Sequence, residues 1–125
     1  MNCIMTPSAQ RVFKTKWFSK AAKAAGISDI DLCRAAKQLM QGMGDDLGGN
    51  VWKKRLDQNR KRGIVVNKVG HSWFFVFLFA KSDRDNIDDR ELKAFRKLAA
   101  DFGGLREAEV DSLIELKELV EICHD

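Results

Sequence analysis

Residues 73–80, Trp-Phe-Phe-Val-Phe-Leu-Phe-Ala, form the longest stretch of the chain without a polar side chain. An apolar run of this length, opened by Gly70-His71-Ser72, predicts a strand buried on both faces. It is too short to cross a bilayer as a helix. The pattern then turns polar and helical. Asp88 with Glu91 three residues on, flanked by Ile87 and Leu92, has the form of a capping box with a hydrophobic staple. Leu92, Phe95, Leu98, Ala99 and Phe102 then recur at helical spacing until Gly103-Gly104.

Upstream, residues 11–16 alternate weakly and predict a short first strand. Trp17, Phe18, Ala21, Ala22 and Ala25 form one face of a helix that Gly26 stops. Ser28 and Asp31 open a second helix, whose apolar stripe is Leu32, Cys33, Ala36, Leu39, Met40 and Met43. Gly42, Gly44 and Gly48-Gly49 predict a flexible turn after it. Residues 51–56 are a second strand, with Val51, Lys53 and Arg55 on one face and Trp52, Lys54 and Leu56 on the other. A polar loop spans 57–62, a third strand 63–69, and Gly70-His71-Ser72 turns the chain into the apolar run. In the tail, Val110, Leu113, Ile114 and Leu116 suit a helix, while 118–122 alternates well enough for a final strand. Helices, then strands, then helices predict an α+β fold: a small, mostly antiparallel meander with the N-terminal and C-terminal helices packed on one face. The 125 residues fit one domain, 1–125.

Charge changes the picture. Residues 1–87 hold 16 Lys/Arg against 7 Asp/Glu, whereas residues 88–125 hold 6 against 11. A basic body points to a polyanionic partner, most simply nucleic acid. Cys3, Cys33 and Cys123 are odd in number and widely spaced, so they are expected to be reduced thiols in a cytoplasmic protein. No segment reads as a signal peptide or a membrane span, and Pro7 precedes the first element.

Candidate chemistry is narrow. His71 and His124 are far apart and no cluster has ligand spacing, so no metal and no cofactor is expected. His71 reads as a solvated turn residue, and Trp17, Trp52 and Trp73 as core. The basic side chains are the remaining candidates: Lys53, Lys54 and Arg55 on one strand, Arg60, Lys61 and Arg62 after it, Lys68 on the next, and Lys81 and Arg84 past the apolar run. Gathered on one rim they would bind phosphates and stabilise a pentacoordinate phosphorane. Read from the residues alone, a solvated basic surface explains them equally well.

Five blocks weigh on that choice. Phe13-Lys-Thr-Lys-Trp-Phe18, Gly26-Ile-Ser-Asp29 with Asp31-Leu-Cys33, Asp46-Leu-Gly-Gly49, Val51-Trp-Lys-Lys-Arg55, and Phe79-Ala-Lys-Ser-Asp-Arg-Asp-Asn-Ile87 with Glu91-Leu92 stand in this order. Together they resemble the HigB-like branch of the RelE/ParE toxin superfamily, from about residue 13 to about residue 122. The resemblance implies a few helices around a small, mostly antiparallel sheet, and a last strand at 118–122. It implies the toxin of a type II toxin–antitoxin module, a ribosome-dependent mRNA endonuclease neutralised by a small helix-turn-helix antitoxin. The implied reaction is metal-independent attack of a ribose 2′-OH on the adjacent phosphate. Lys54, Arg55, Lys81 and Arg84 are the implied catalytic set, with Lys53, Arg60, Lys61, Arg62 and Lys68 as RNA-binding residues. Relatives carry Gly-Gly-x-Arg at the start of the third strand; here Arg62-Gly-Ile-Val65 sets Val65 at the arginine position. Two other readings keep less of the chemistry: a ParE-like or catalytically silent homologue that acts by binding a protein, and a plain RNA-binding module.

Overall fold

The computed structural model describes residues 10–124, so Cys3 and Pro7 lie outside the described residues. Six strands and four helices follow in the order β1 (Arg11–Thr15), α1 (Lys16–Ala25), α2 (Asp29–Met40), β2 (Asp45–Gly48), β3 (Val51–Leu56), β4 (Lys61–Lys68), β5 (Ser72–Ala80), α3 (Asp89–Gly103), α4 (Glu107–Glu115) and β6 (Leu119–Ile122). They build one α+β sheet in the spatial order β2-β3-β4-β5-β1-β6. β2 to β5 are the antiparallel meander, β1 joins β5 in parallel, and β6 closes antiparallel on β1. The tail is thus both things its pattern allowed, a helix and then a strand.

The helices cover both faces, which corrects the one-face arrangement expected from the order of elements. Trp73 and Phe75 of β5 pack with Phe18 and Ala22 of α1 and with Leu32, Ala36 and Leu39 of α2. Phe74, Val76 and Phe79 pack on the other side with Ala99 of α3 and Val110 of α4. The reason lies in the apolar run itself. A strand with no polar face exposes large side chains to water unless a layer lies on each side, and each buried Phe or Leu contributes about 1.5–3 kcal/mol.

Local signals set the helix ends. Thr15 Oγ1 accepts from the Phe18 N–H, and Gly26 closes α1 in the left-handed region at φ 73°. Reciprocal capping boxes open α2, between Ser28 and Asp31, and α3, between Asp88 and Glu91. In α2 the buried residues are Leu32, Ala35, Ala36 and Leu39, while Met40 and Met43 are exposed where the helix stops. The expected glycine-rich turn contains a strand, β2, hydrogen-bonded to β3 as an outer edge. Beyond it, Gly49 has φ 64°, and a Cβ there would lie 2.6 Å from Arg96 Cγ. The glycines let the Arg96 guanidinium reach the Leu47 and Gly48 carbonyls.

Two further features fix the frame. In β5, Phe75 pairs with Val65 and Phe77 with Ile64, so Val76 is one extra residue, a β-bulge. Val76 and Phe77 consequently both turn toward the α3 side. At the far edge, β6 returns Cys123 beneath α2, where it forms a disulfide with Cys33, Cα–Cα 5.5 Å. This corrects the expectation of reduced thiols for this pair. Their sequence separation of 90 hides the contact, because only the β1–β6 pairing brings the two ends together. Arg11 seals the same pairing with two 2.8 Å bonds to Glu121 and one to Glu107. Its bond to Glu121 raises the arginine pKa and holds the carboxylate below its ordinary range. Among the described residues, no helix is long and apolar enough to cross a membrane.

Candidate functional site

Strand pairing places a row of side chains across the sheet near the C-terminal end of β5. Arg55 of β3 lies opposite Arg62 of β4, and Arg62 lies opposite Phe79 of β5. Direct cross-strand neighbours have Cβ atoms about 4.5–5.5 Å apart, so the two arginines leave the sheet from adjacent points. Two residues back along the strands, the parallel row is Lys53, Ile64 and Phe77. Both rows face the α3 side, as the burial of Ile64 there requires.

Arg84 completes the patch from the loop after β5. Its guanidinium lies over the Phe79 ring at 5.2 Å and the Phe77 ring at 5.6 Å. Its Nη1 and Nη2 donate to the two oxygens of Glu91, at 2.9 and 2.6 Å. Glu91 Oε1 also accepts from the Asp88 N–H at 2.9 Å. One carboxylate therefore caps α3 and holds the arginine flat on the rings. The Arg84 bond, then the Asp88 N–H, keeps the Glu91 carboxyl below its ordinary pKa, and the pairing raises that of Arg84.

The row has no carboxylate of its own. Arg62 donates from Nη1 to the Asn59 and Lys61 carbonyls, and neither Arg55 nor Arg62 meets a carboxylate among the described residues. Like charges directly opposite in a sheet destabilise it unless a counter-charge lies near. Lys53 is mostly buried and stands 3.8 Å from Asp45 of β2.

The remaining candidates divide. Lys54 points to the opposite face, where its Nζ donates to the Met43 carbonyl at 2.9 Å. Burial, then the charge of Arg55, lowers its pKa. Strand alternation already separated Lys54 from Lys53 and Arg55. Lys68 is at the far end of β4, bonded to the Leu105 carbonyl. Arg60 pairs with Asp57 at 2.8 Å. Lys61 belongs to the start of β4 rather than to the loop. Lys81 sits in the turn after β5, where its N–H donates to the Arg60 carbonyl at 2.9 Å. Val65 is fully buried on the α1/α2 side, whereas Arg62, three residues earlier, occupies the open face. Trp17 is half exposed and stacks on Phe77 at 5.1 Å rather than joining the core, while Trp73 is buried against Trp52. Sequence reasoning missed Glu91 as the partner of Arg84; the capping-box pattern was the one signal for it. No group of three or more His, Cys, Asp or Glu among the described residues could hold a metal ion.

The sequence profile of a family described as the RelE toxin of the RelE/RelB toxin–antitoxin system matches residues 10–122. No curated protein and no solved structure matches the chain.

Proposed function

The chain belongs to the RelE toxin family, and from that premise we propose that this toxin is an mRNA endonuclease of the HigB-like branch, acting on the ribosome. The observation that carries the reading is the Arg55–Arg62 pair, free of carboxylates, beside a locked Arg84. Three arginines at the Phe79 end of the sheet suit a phosphate that gains charge during reaction. The ribose 2′-OH attacks the adjacent phosphorus as its proton passes to water, and the bond to the 5′-oxygen breaks. The products are a 2′,3′-cyclic phosphate and a 5′-hydroxyl end. Arg55, Arg62 and Arg84 stabilise the phosphorane, the effect usually worth most in such sites. Arginine keeps its proton, so Lys53, two residues before Arg55, is the group to supply one to the leaving oxygen. Phe77 and Phe79 give Arg84 an apolar bed that keeps water from one side of the patch.

A family member of this kind works with an antitoxin. We take the partner to be a small helix-turn-helix protein whose acidic segment covers the arginine row and leaves no room for RNA. The test is primer extension on programmed ribosomes with the wild type and Arg62→Ala. Cleavage by the wild type and its loss, on the order of a hundredfold or more, in a variant with an unchanged melting curve is the expected result. A folded wild type that cuts no mRNA on ribosomes overturns the reading.

A further inference from the structure

Past the arginine row, the β3–β4 loop and the turn after β5 enclose a cleft of about 610 Å³ lined by Gln58, Asn59, Arg60, Lys61, Lys81 and Ser82. The Lys81 N–H to Arg60 carbonyl bond ties its two walls together. Several cations elsewhere on the surface are tied down. Lys14, Lys53, Lys54, Lys68 and Arg96 each engage a carboxylate or a carbonyl. In the cleft, the side chains of Gln58, Asn59, Lys61, Lys81 and Ser82 engage no partner among the described residues. Only Arg60 is held, by the Asp57 carboxylate and carbonyl.

We propose that this cleft is a base-reading subsite for single-stranded RNA, receiving the nucleotide next to the scissile phosphate; the assignment of that phosphate rests on the reading above. The lining supplies the three things such a site needs. The Arg60 guanidinium, fixed in its plane by Asp57, is a shelf on which a base can stack. The Gln58 and Asn59 amides each offer a donor and an acceptor to a base edge. Lys61 and Lys81 neutralise the flanking phosphates without regard to sequence. The position fits one continuous strand, because Lys61 adjoins Arg62 and pairs with Ala80, next to Phe79. Lys81 is then a substrate-positioning residue rather than a member of the arginine row.

Gln58 and Asn59 have φ of 52° and 71°, a region glycine occupies readily. The double variant Gln58→Gly/Asn59→Gly therefore deletes both amides without straining the loop. Two measurements on the full chain are paired. The first is fluorescence anisotropy with short single-stranded oligo-A, oligo-C, oligo-G and oligo-U. The second maps the cut sites on a pool of ribosome-bound mRNAs. The wild type is expected to prefer one base by about tenfold, and the double variant to bind all four alike. Lys81→Ala is expected to weaken all four equally and keep the preference. Equal binding of the four by the wild type, or a preference intact in the double variant, overturns the subsite. Base-selective binding by a wild type that cuts no mRNA overturns the endonuclease reading and supports the cleft.

Discussion

Glu91→Gln separates what the carboxylate does for the helix from what it does for Arg84. The glutamine keeps an oxygen that can accept the Asp88 N–H, the bond at 2.9 Å, but loses the charge that binds both Arg84 nitrogens. Losing the capping box altogether, as in Glu91→Ala, costs about 1 kcal/mol. The ion pair is part-exposed on both sides and adds about 0.2–1 kcal/mol. For a domain of this size, Glu91→Ala should lower the melting temperature by roughly 4–10 °C, and Glu91→Gln by about 3 °C or less. Cleavage should behave differently. An arginine no longer held flat on Phe77 and Phe79 samples positions an ångström or more away, and a displacement of that size costs up to about a hundredfold. Glu91→Gln should thus lose about ten- to a hundredfold in cleavage rate with little loss of stability. Asp88→Ala is the control: it removes the cap, spares the Arg84 pair, and should melt early while cutting normally. The assay is single-turnover cleavage on ribosomes beside a melting curve. Wild-type cleavage by Glu91→Gln would refute the positioning role. Faster cleavage would show instead that Glu91 keeps Arg84 away from the phosphate.

Lys54→Ala should leave cleavage within about threefold of wild type, because Lys54 lies across the sheet from the arginine row; the same ribosome assay measures it. Val65→Arg should unfold the protein or lower its urea midpoint sharply, since it buries a charge in the α1/α2 core, where an unpaired ion costs several kcal/mol. Replacing Cys33 and Cys123 by serine removes a bridge across 90 residues and should lower stability by up to about 4–5 kcal/mol in urea unfolding; free-thiol titration of both cysteines in unreduced protein would contradict the bridge. Glu91, Glu109 and Glu121 have pKa values lowered from the ordinary 4.5. Folding keeps their full contribution above about pH 4.5 and loses it as pH falls through the depressed values, so the melting temperature should hold to about pH 5 and drop below it.

What the chain reveals of itself depends on distance. Capping at Ser28 and Asp88, the Gly26 stop and the apolar run are local events, and each forms where its residues predict. β2 escaped because Asp45, Asp46 and Gly48 have little strand propensity; pairing with β3 makes them a strand. The second helical layer was implied by the run's lack of a polar face, but the order of elements argued the other way. In the site, the separation of Lys54 from Lys53 and Arg55 was readable from alternation. The Arg55–Arg62–Phe79 row was not, because it depends on the register of β3 with β4 and of β4 with β5. The Cys33–Cys123 bridge and the Arg84–Glu91 clasp likewise exist only after the chain has closed on itself.

The extra residue at Val76 acts as a phase break in β5. Before it, Trp73 and Phe75 fill the α1/α2 core and Phe74 fills the α3/α4 core. After it, Phe77 and Phe79 are set half a period out of step with that pattern, and the two ends of the strand stop sharing one alternation. A deletion at Val76 would remove the bulge and leave one unbroken alternation: Phe77 would follow Phe75, still opposite Ile64 and still on the α3 side, at the cost of one buried valine.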